Sequence, residues 1–243
     1  MKLYVRHWYS INLVVGAVLA LALALNWSAL EVVQRLVALN TLALFVHQFE
    51  EYGFPGGEPA VVNIAMYASD VPDRFPLNQL SAMVTNVLGI IMLYGLPFFF
   101  PQALWLCLAP MLINFGQLLS HGVMTNIKLR GVYNPGLAAV VFLHLPISVY
   151  FIWYVSANGM ITGWDWLFGF LYAAVCAGFI VGFTTYALFA TRKTKWSFAP
   201  DEMARFDVEG KMERRGVRVD CDTPLPLLQR RLQEVQKKIH PDG

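Results

Sequence analysis

The most constraining feature of this sequence is a series of six long apolar runs that contain almost no charged residues. A helix needs about 20 mainly apolar residues to cross the roughly 30 Å hydrocarbon core of a bilayer, because each residue rises about 1.5 Å. The runs are continuous rather than alternating, which favours helices over the strands of a β-barrel. We predict membrane spans at residues 11–30, 32–49, 77–96, 102–120, 137–157 and 164–190.

Charge is distributed very unevenly between this apolar part and the end of the chain. Residues 1–190 contain six Lys and Arg and seven Asp and Glu, whereas residues 191–243 contain twelve and nine. Only 14% of the whole chain is charged, against about 25% in a typical soluble domain. This excludes a water-soluble globule, a disordered chain and a nucleic-acid binder with a basic face. The prediction is an all-α, polytopic membrane bundle of about six helices over residues 1–190, followed by a charged, partly helical cytosolic tail over residues 191–243.

The positions of the basic residues predict how the bundle is oriented. Cytoplasmic loops of membrane proteins carry an excess of Lys and Arg. Such residues precede the first span, lie in the second and fourth loops and follow the last span; the one other basic residue before residue 191 is Arg35, at the start of the second span. Both termini are therefore predicted to be cytoplasmic. Residues 1–30 also resemble a secretory signal peptide, but the apolar run is longer than is usual there, so a retained span is favoured.

The tail contains two helical patterns. The sequence Pro200-Asp201-Glu202 predicts a helix start, with Pro at the first helical position and acids in the first turn. Farther on, apolar residues recur at steps of three and four. This second pattern fits a short coiled coil for self-association, a strip packed on the protein's own cytosolic face, or a helix lying on anionic lipid. The residues that form it are Leu225, Leu228, Leu232, Val235 and Ile239.

The second predicted span ends in the sequence His47-Gln48-Phe49-Glu50-Glu51. On a helix, His47 lies three and four residues from the two carboxylates, so the three side chains are expected on one face. Asn40 lies two turns earlier on the same stripe. Ionisable residues inside a membrane are costly and usually face a protein interior or a wet cavity. This stripe is therefore the first candidate for a functional site.

Two further segments carry histidines. Asn114, Gln117, His121 and Thr125 form a polar face on the fourth span, and His144 lies in the fifth span. The fifth span follows the sequence Tyr133-Asn134-Pro135-Gly136, in which Asn134 and Pro135 suit an N-cap and a first helical turn. In the predicted orientation all three segments meet at the cytosolic leaflet. The sequence thus predicts one pocket that contains His47, Glu50, Glu51, His121 and His144.

This set of side chains favours a divalent metal site. We predict His47, Glu51, His121 and His144 as ligands of a metal ion, Zn²⁺ in the first place, with Fe or Mn as alternatives. A metal acidifies its bound water, and Glu50 or Glu51 is predicted to take the proton of that water. Asn40 and Asn114 are predicted to orient ligands or to stabilise a developing oxyanion.

The motif His47-Gln48-Phe49-Glu50-Glu51, a later histidine and Tyr133-Asn134-Pro135-Gly136 together resemble the HXXEE family of membrane proteins. That family is named for its His-x-x-Glu-Glu motif, and it has a further histidine and a Tyr-x-Pro-Gly motif. The resemblance covers roughly residues 35–190. It implies the site residues rather than a reaction, because the family has no settled activity and hydrolase is the usual suggestion.

Two classes of function fit these observations. The first is a metal-dependent hydrolase that acts on a lipid-like or amphipathic small molecule taken from the bilayer; the second is a proton- or metal-ion-coupled transporter that uses the same His and Glu residues as a relay. Transporters often contain internal repeats and broken helices in both halves, and neither is evident in this sequence. The enzyme is therefore favoured, with membrane lipids as its surroundings and without a nucleic-acid partner.

Overall fold

The computed structural model describes residues 2–214 and 216, and within this part of the chain all regular elements are helical. Six of the helices are long and apolar enough to cross a membrane. In chain order the helices are α1 (Lys2–Leu25), α2 (Val32–Tyr52), α3 (Glu58–Ala60 continued by Val61–Met66), α4 (Gln79–Phe99), α5 (Leu104–Leu129), α6 (Leu137–Ala157), α7 (Gly163–Leu188), α8 (Pro200–Ala204) and α9 (Val208–Glu213).

The six predicted spans are confirmed as helices of membrane-spanning length, and the bounds of α6 are as predicted. The largest differences are in α1, which begins at Lys2 instead of residue 11, and in α5, which continues to Leu129 instead of ending at residue 120. Both extensions contain residues that pack inside the protein, among them Trp8 and Leu129. Hydropathy marks only the apolar run, so it misses helical turns whose polar residues are buried against other parts of the same chain.

Several helix starts are capped by their own sequence. Asn78 precedes α4 and its side chain accepts hydrogen bonds from the backbone N–H groups of Leu80 and Ser81, both at 3.1 Å. Thr162 and Asp165 form a capping box at the start of α7. Such caps satisfy N–H groups that have no partner within the helix. The start of α6 has no side-chain cap of this local kind. Its free N–H groups find their acceptor in Glu50 of α2, which is described below.

The six long helices alternate in direction, so α2, α5 and α7 end where α1, α4 and α6 begin. We call this end of the bundle the site end. Helix α2 is the most enclosed of the six, since 61% of the residues in its apolar 18-residue stretch are buried inside the protein. It contacts α1, α4 and α6. The HXXEE sequence in its last turns therefore lies at the site end and is surrounded by other helices.

The site end is covered by α3 and by the first part of the tail. Aromatic residues of α1 and α2 pack there in a common core with Val61 and Ile64 of α3 and with four apolar residues of the tail, Phe198, Met203, Val208 and Met212. The Arg205 guanidinium donates a hydrogen bond to the backbone carbonyl of Tyr52. The helix predicted to start at Pro200 is confirmed. The apolar pattern from Leu225 to Ile239 lies outside the described residues.

Candidate metal centre

Three predicted site residues converge at the site end. Glu51 Oε1 lies 3.3 Å from His47 Nε2 and 3.4 Å from His121 Nε2. One potential ligand atom from each of these residues lies within 4.8 Å of the others. All three side chains are buried. Two helices supply them, because His47 and Glu51 are one turn apart on α2 and His121 faces them from α5.

The hydrogen bonds on the other side of each ring define the tautomers. His47 Nδ1 lies 3.0 Å from the backbone carbonyl oxygen of Gly136, which only accepts, so Nδ1 donates. His121 Nδ1 donates to Oδ1 of Asn134 at 2.7 Å. The amide nitrogen of Asn134 is used elsewhere, since it donates to the backbone carbonyl of His121 and to Asn126 Oδ1. In its neutral form each imidazole therefore keeps a lone pair on Nε2.

This arrangement places two lone pairs and a carboxylate oxygen around one point. Nitrogen lone pairs and a carboxylate repel one another unless a proton or a metal ion lies between them. Among the described residues the buried Nε2 atom of His47 finds no hydrogen-bond partner, which is costly in a dry site. The residues therefore fit a bound metal ion, with anchored Nδ1–H groups of the kind that usually orient histidine ligands.

Gly136 packs directly against this cluster. Its φ angle is +97°, in the region that favours glycine, and a Cβ atom at this position would lie 2.8 Å from His121 Cε1 and 2.9 Å from His47 Cε1. The backbone can thus approach both rings closely enough for its carbonyl to bind His47. The Gly of the Tyr-x-Pro-Gly motif is explained by this close approach.

Glu50 has a different environment from Glu51. Its carboxylate accepts hydrogen bonds from the backbone N–H groups of Ala138 (3.0 Å) and Ala139 (2.8 Å) and from the Tyr133 hydroxyl (2.8 Å). It therefore satisfies the free N–H groups at the start of α6, where a negative charge is favourable. The residue predicted as a catalytic base serves in this structure to fix α6 onto α2.

The sequence Tyr133-Asn134-Pro135-Gly136 is more than a helix start. Tyr133 holds Glu50, Asn134 holds His121, and the Gly136 carbonyl holds His47. The expected N-cap at Asn134 is wrong, because α6 begins at Leu137 with Gly136 in the capping position. The Asn134 side chain is directed to α5 instead, and a glutamate from α2 takes over the capping role.

His144, Asn40 and Asn114 form a neighbouring buried network. His144 Nδ1 lies 2.7 Å from Asn40 Oδ1, which also accepts a hydrogen bond from Asn114 Nδ2 at 2.9 Å. The ring centroids of His144 and His47 are 5.6 Å apart. His144 is therefore beside the cluster of His47, Glu51 and His121 but outside the group of atoms within 4.8 Å. Asn40 and Asn114 thus belong to this neighbouring network and not to the cluster of His47, Glu51 and His121.

A cavity of about 440 Å³ opens onto the cluster. Its site-end wall contains His47, Glu51 and His121, together with Glu58 from the start of α3. Its inner wall is largely apolar and contains residues of α4, α5 and α7. The volume is in the usual range for small-molecule sites. The cavity thus combines a polar end with an apolar interior.

Glu58 is a candidate functional residue that the sequence did not reveal. It lies at the polar end of the cavity, and its Oε2 atom is buried without a hydrogen-bond partner in the part of the chain that the structure describes. Burial and the nearby Glu51 carboxylate raise the pKa of Glu58 to about 8. In the sequence Glu58 is one acid in a segment rich in Gly and Pro, and no spacing distinguishes it from a solvated residue.

Gln48, the residue after the motif histidine, connects three helices. It is fully buried. Its side chain accepts a hydrogen bond from Asn12 of α1 at 2.9 Å and donates one to Asn86 of α4 at 3.1 Å. A variable position of the motif therefore has a structural role in this chain, since it fixes α2 between two neighbours.

Comparison with known proteins supports the resemblance. The model of a family described as "Protein of unknown function with HXXEE motif" matches residues 38–151. This HXXEE segment extends from α2 into α6. It contains the three residues of the cluster, the paired glutamate and the Tyr-x-Pro-Gly sequence, so the resemblance is confirmed. No curated protein and no solved structure matches the chain.

Proposed function

We propose that this protein is a metal-dependent membrane hydrolase in which His47, Glu51 and His121 hold a divalent ion. The observation that carries the proposal is the convergence of two Nε2 lone pairs on the Glu51 carboxylate, each ring being anchored through Nδ1. Two imidazoles and one carboxylate form the ligand set of several catalytic zinc sites, which keep an open coordination position. Zn²⁺ is therefore the first choice, and Fe or Mn, which also accept this ligand set, are the alternatives.

A divalent ion at this position would acidify a bound water and polarise an acyl or phosphoryl group. In the proposed reaction, Glu58 accepts a proton from the attacking water and returns it to the leaving-group oxygen or nitrogen of the substrate. The water oxygen forms a bond to the attacked acyl carbon or phosphorus, the bond from that atom to the leaving group breaks, and Glu58 ends as it began. A carboxylate whose pKa is raised toward the working pH suits both transfers, and in the metal-free protein burial and the Glu51 carboxylate raise the pKa of Glu58.

The proposed substrate is hydrophobic or amphipathic. Its support is the position of the cluster in a bundle of membrane-spanning helices, at the polar end of a cavity whose interior is apolar. A small hydrophilic substrate would leave much of that interior without a suitable partner. Membrane lipids are therefore both the surroundings of the protein and the proposed source of its substrate.

We also propose that the site end faces the cytoplasm. Five of the six basic residues before residue 191, namely Lys2, Arg6, Arg74, Lys128 and Arg130, lie at this end of the bundle. The positive-inside bias then places both termini of the described chain in the cytoplasm. A membrane-impermeant thiol reagent tests this on a Ser197→Cys variant, which is expected to react only after the inner face is made accessible.

Elemental analysis of the purified protein tests the metal proposal. The wild type is expected to retain nearly one Zn, Fe or Mn per chain, and His47→Ala and Glu51→Ala are expected to lose it. Hydrolysis of p-nitrophenyl laurate and p-nitrophenyl acetate tests the reaction, with the longer ester expected to be the better substrate. A wild-type protein without metal, together with variants whose activity equals that of the wild type, would rule out the metal proposal.

The transporter predicted as an alternative gives a different result in the same preparations. Wild-type protein in liposomes would then move protons or metal ions across the membrane without hydrolysing either ester. Loss of that flux in His47→Ala, with no ester hydrolysis in the wild type, would replace the enzyme by the transporter.

A further inference from the structure

Helices α5 and α7 are in tight contact at the end of the bundle remote from the site. A Cβ atom added to Gly169 of α7 would lie 3.0 Å from Leu108 Cδ2 and 3.2 Å from the backbone oxygen of Trp105. Farther along, α7 turns toward α4, where Thr185 Oγ1 lies 2.6 Å from Thr85 Oγ1. The two helices α5 and α7 therefore separate as they approach the site end.

The cavity is open where these helices separate. Gly116 of α5 and Ala177 and Val181 of α7 line the cavity and are also exposed on the outer surface of the bundle. Val181 keeps 45% of its surface exposed, and a Cβ atom on Gly116 would meet nothing within 4 Å. Gly116 is at the middle of α5. This opening, which we call the α5–α7 slot, is thus at the depth of the hydrocarbon core.

The interior behind the slot is suited to a hydrocarbon chain. Its wall contains Leu93 of α4, Ile113 of α5, and Cys176 and Ile180 of α7, whose side chains contribute no strong hydrogen-bonding group; polar lining residues of α5, Gln117 and Ser120, follow Ile113 toward the site end. From Ile113 to Thr125, both of which line the cavity, α5 rises by about 18 Å at 1.5 Å per residue. The cavity therefore follows the membrane normal over several carbon–carbon bonds, with the His and Glu residues at one end.

We propose that a hydrocarbon chain of a bilayer amphiphile enters through the α5–α7 slot and lies along the cavity with its polar end at the cluster of His47, Glu51 and His121. An elongated apolar cavity that is open at mid-membrane and polar at one end matches a molecule that is itself apolar along its length and polar at one end. The proposal deepens the proposed function, on which it rests for the chemical reaction at the polar end. The binding of the chain can be measured without that reaction.

The experiment uses palmitic acid that carries a photoreactive diazirine in its chain, added to the full-length protein in phosphatidylcholine vesicles. After irradiation, mass spectrometry locates the labelled residues. We expect labelling of Cys176, which is fully buried and lines the cavity, and at least a fivefold decrease of this label with excess unlabelled palmitic acid. Labelling of Phe179, which is exposed on the bundle surface, reports the ordinary contact with lipid and should change little.

Filling the slot provides the decisive comparison. Gly116→Trp and Ala177→Phe are each expected to reduce the labelling of Cys176 at least fivefold. Gly178→Trp is the matched control, because Gly178 is exposed on the same helix, has open space around it and does not line the cavity. An unlabelled Cys176 in the wild type would overturn the proposal. Equal labelling of Cys176 in the wild type and in both slot variants would also overturn it.

Metal content, measured on the same samples, separates this proposal from the metal-dependent reaction. Labelling of Cys176 in wild-type protein that contains no metal would support the chain-binding site and rule out the metal site. If the protein contains metal but its label at Cys176 is absent or does not decrease with unlabelled palmitic acid, the metal site is supported and entry through the slot is ruled out. If neither slot variant can be purified folded, competition in the wild type decides alone.

Discussion

Asn134 Oδ1 lies 2.7 Å from His121 Nδ1, while the amide nitrogen of the same asparagine donates to the His121 backbone carbonyl. The side chain thus binds one histidine at two points and leaves only Nε2 of the ring available to a metal. Removing such a partner of a metal ligand typically weakens metal binding roughly 10–100-fold. We expect this loss in Asn134→Ala, measured by competition with a zinc chelator. Asn26→Ala, at an exposed turn, is the control that should bind metal like the wild type.

Gly136→Ala is expected to abolish metal binding as well as to destabilise the protein. The added methyl group would clash with His121 and His47 at 2.8 and 2.9 Å, in a backbone conformation that already disfavours a side chain. Gly159→Ala separates the two effects, because Gly159 also has a positive φ, +62°, but has open space around it. The control should cost about 1 kcal/mol of stability and retain its metal. Full metal content in Gly136→Ala would contradict the described packing.

The two glutamates of the motif are expected to differ when each is replaced by glutamine. Glu50→Gln removes a charged acceptor from the α6 N-terminus and turns an amide N–H toward a backbone N–H. The cost of an unsatisfied buried donor is about 1–3 kcal/mol, so thermal unfolding in detergent should begin at a lower temperature while metal remains bound. Glu51→Gln should instead lose metal. Equal metal loss in both variants would assign Glu50 to the site.

His121→Ala is expected to lose the metal, whereas His144→Ala should retain most of it. His121 Nε2 is 3.4 Å from the shared carboxylate oxygen, and His144 is outside the group of converging ligand atoms. Elemental analysis of both variants gives the ranking directly. Metal loss in His144→Ala as complete as in His121→Ala would make His144 a fourth ligand, as the sequence predicts.

The stability of the metal-free protein should depend on Glu58. Its folded-state pKa is raised to about 8 by burial and by Glu51, whereas an unfolded glutamate titrates near 4.5. Between these values the folded state binds more protons than the unfolded state, so stability should fall as pH rises through this window. Glu58→Gln, which carries no titratable group, should lose less stability over the same window. Thermal unfolding of both proteins in the presence of a chelator, at several pH values, measures the difference.

Much of the architecture follows from the sequence alone. Six apolar runs fix the number of membrane-spanning helices, because only helices and closed β-barrels satisfy the backbone in a bilayer and continuous apolar runs fit the helix. The polar stripes on α2 and α5 also indicate that His47, Glu51 and His121 face the interior, since exposing them to lipid is costly. The family resemblance adds Tyr133 to Gly136 as a further element of the site.

The roles of individual residues were decided only by the tertiary structure. Glu50 and Glu51 are adjacent in the sequence and chemically identical, yet one meets the free N–H groups of α6 and the other meets two imidazoles. Glu58 enters the cavity only because α3 folds back beneath the tail. Helical periodicity gives the direction of a side chain around its own axis, but the partner in that direction depends on how separate helices pack. Contacts between distant segments therefore determine what the sequence leaves open.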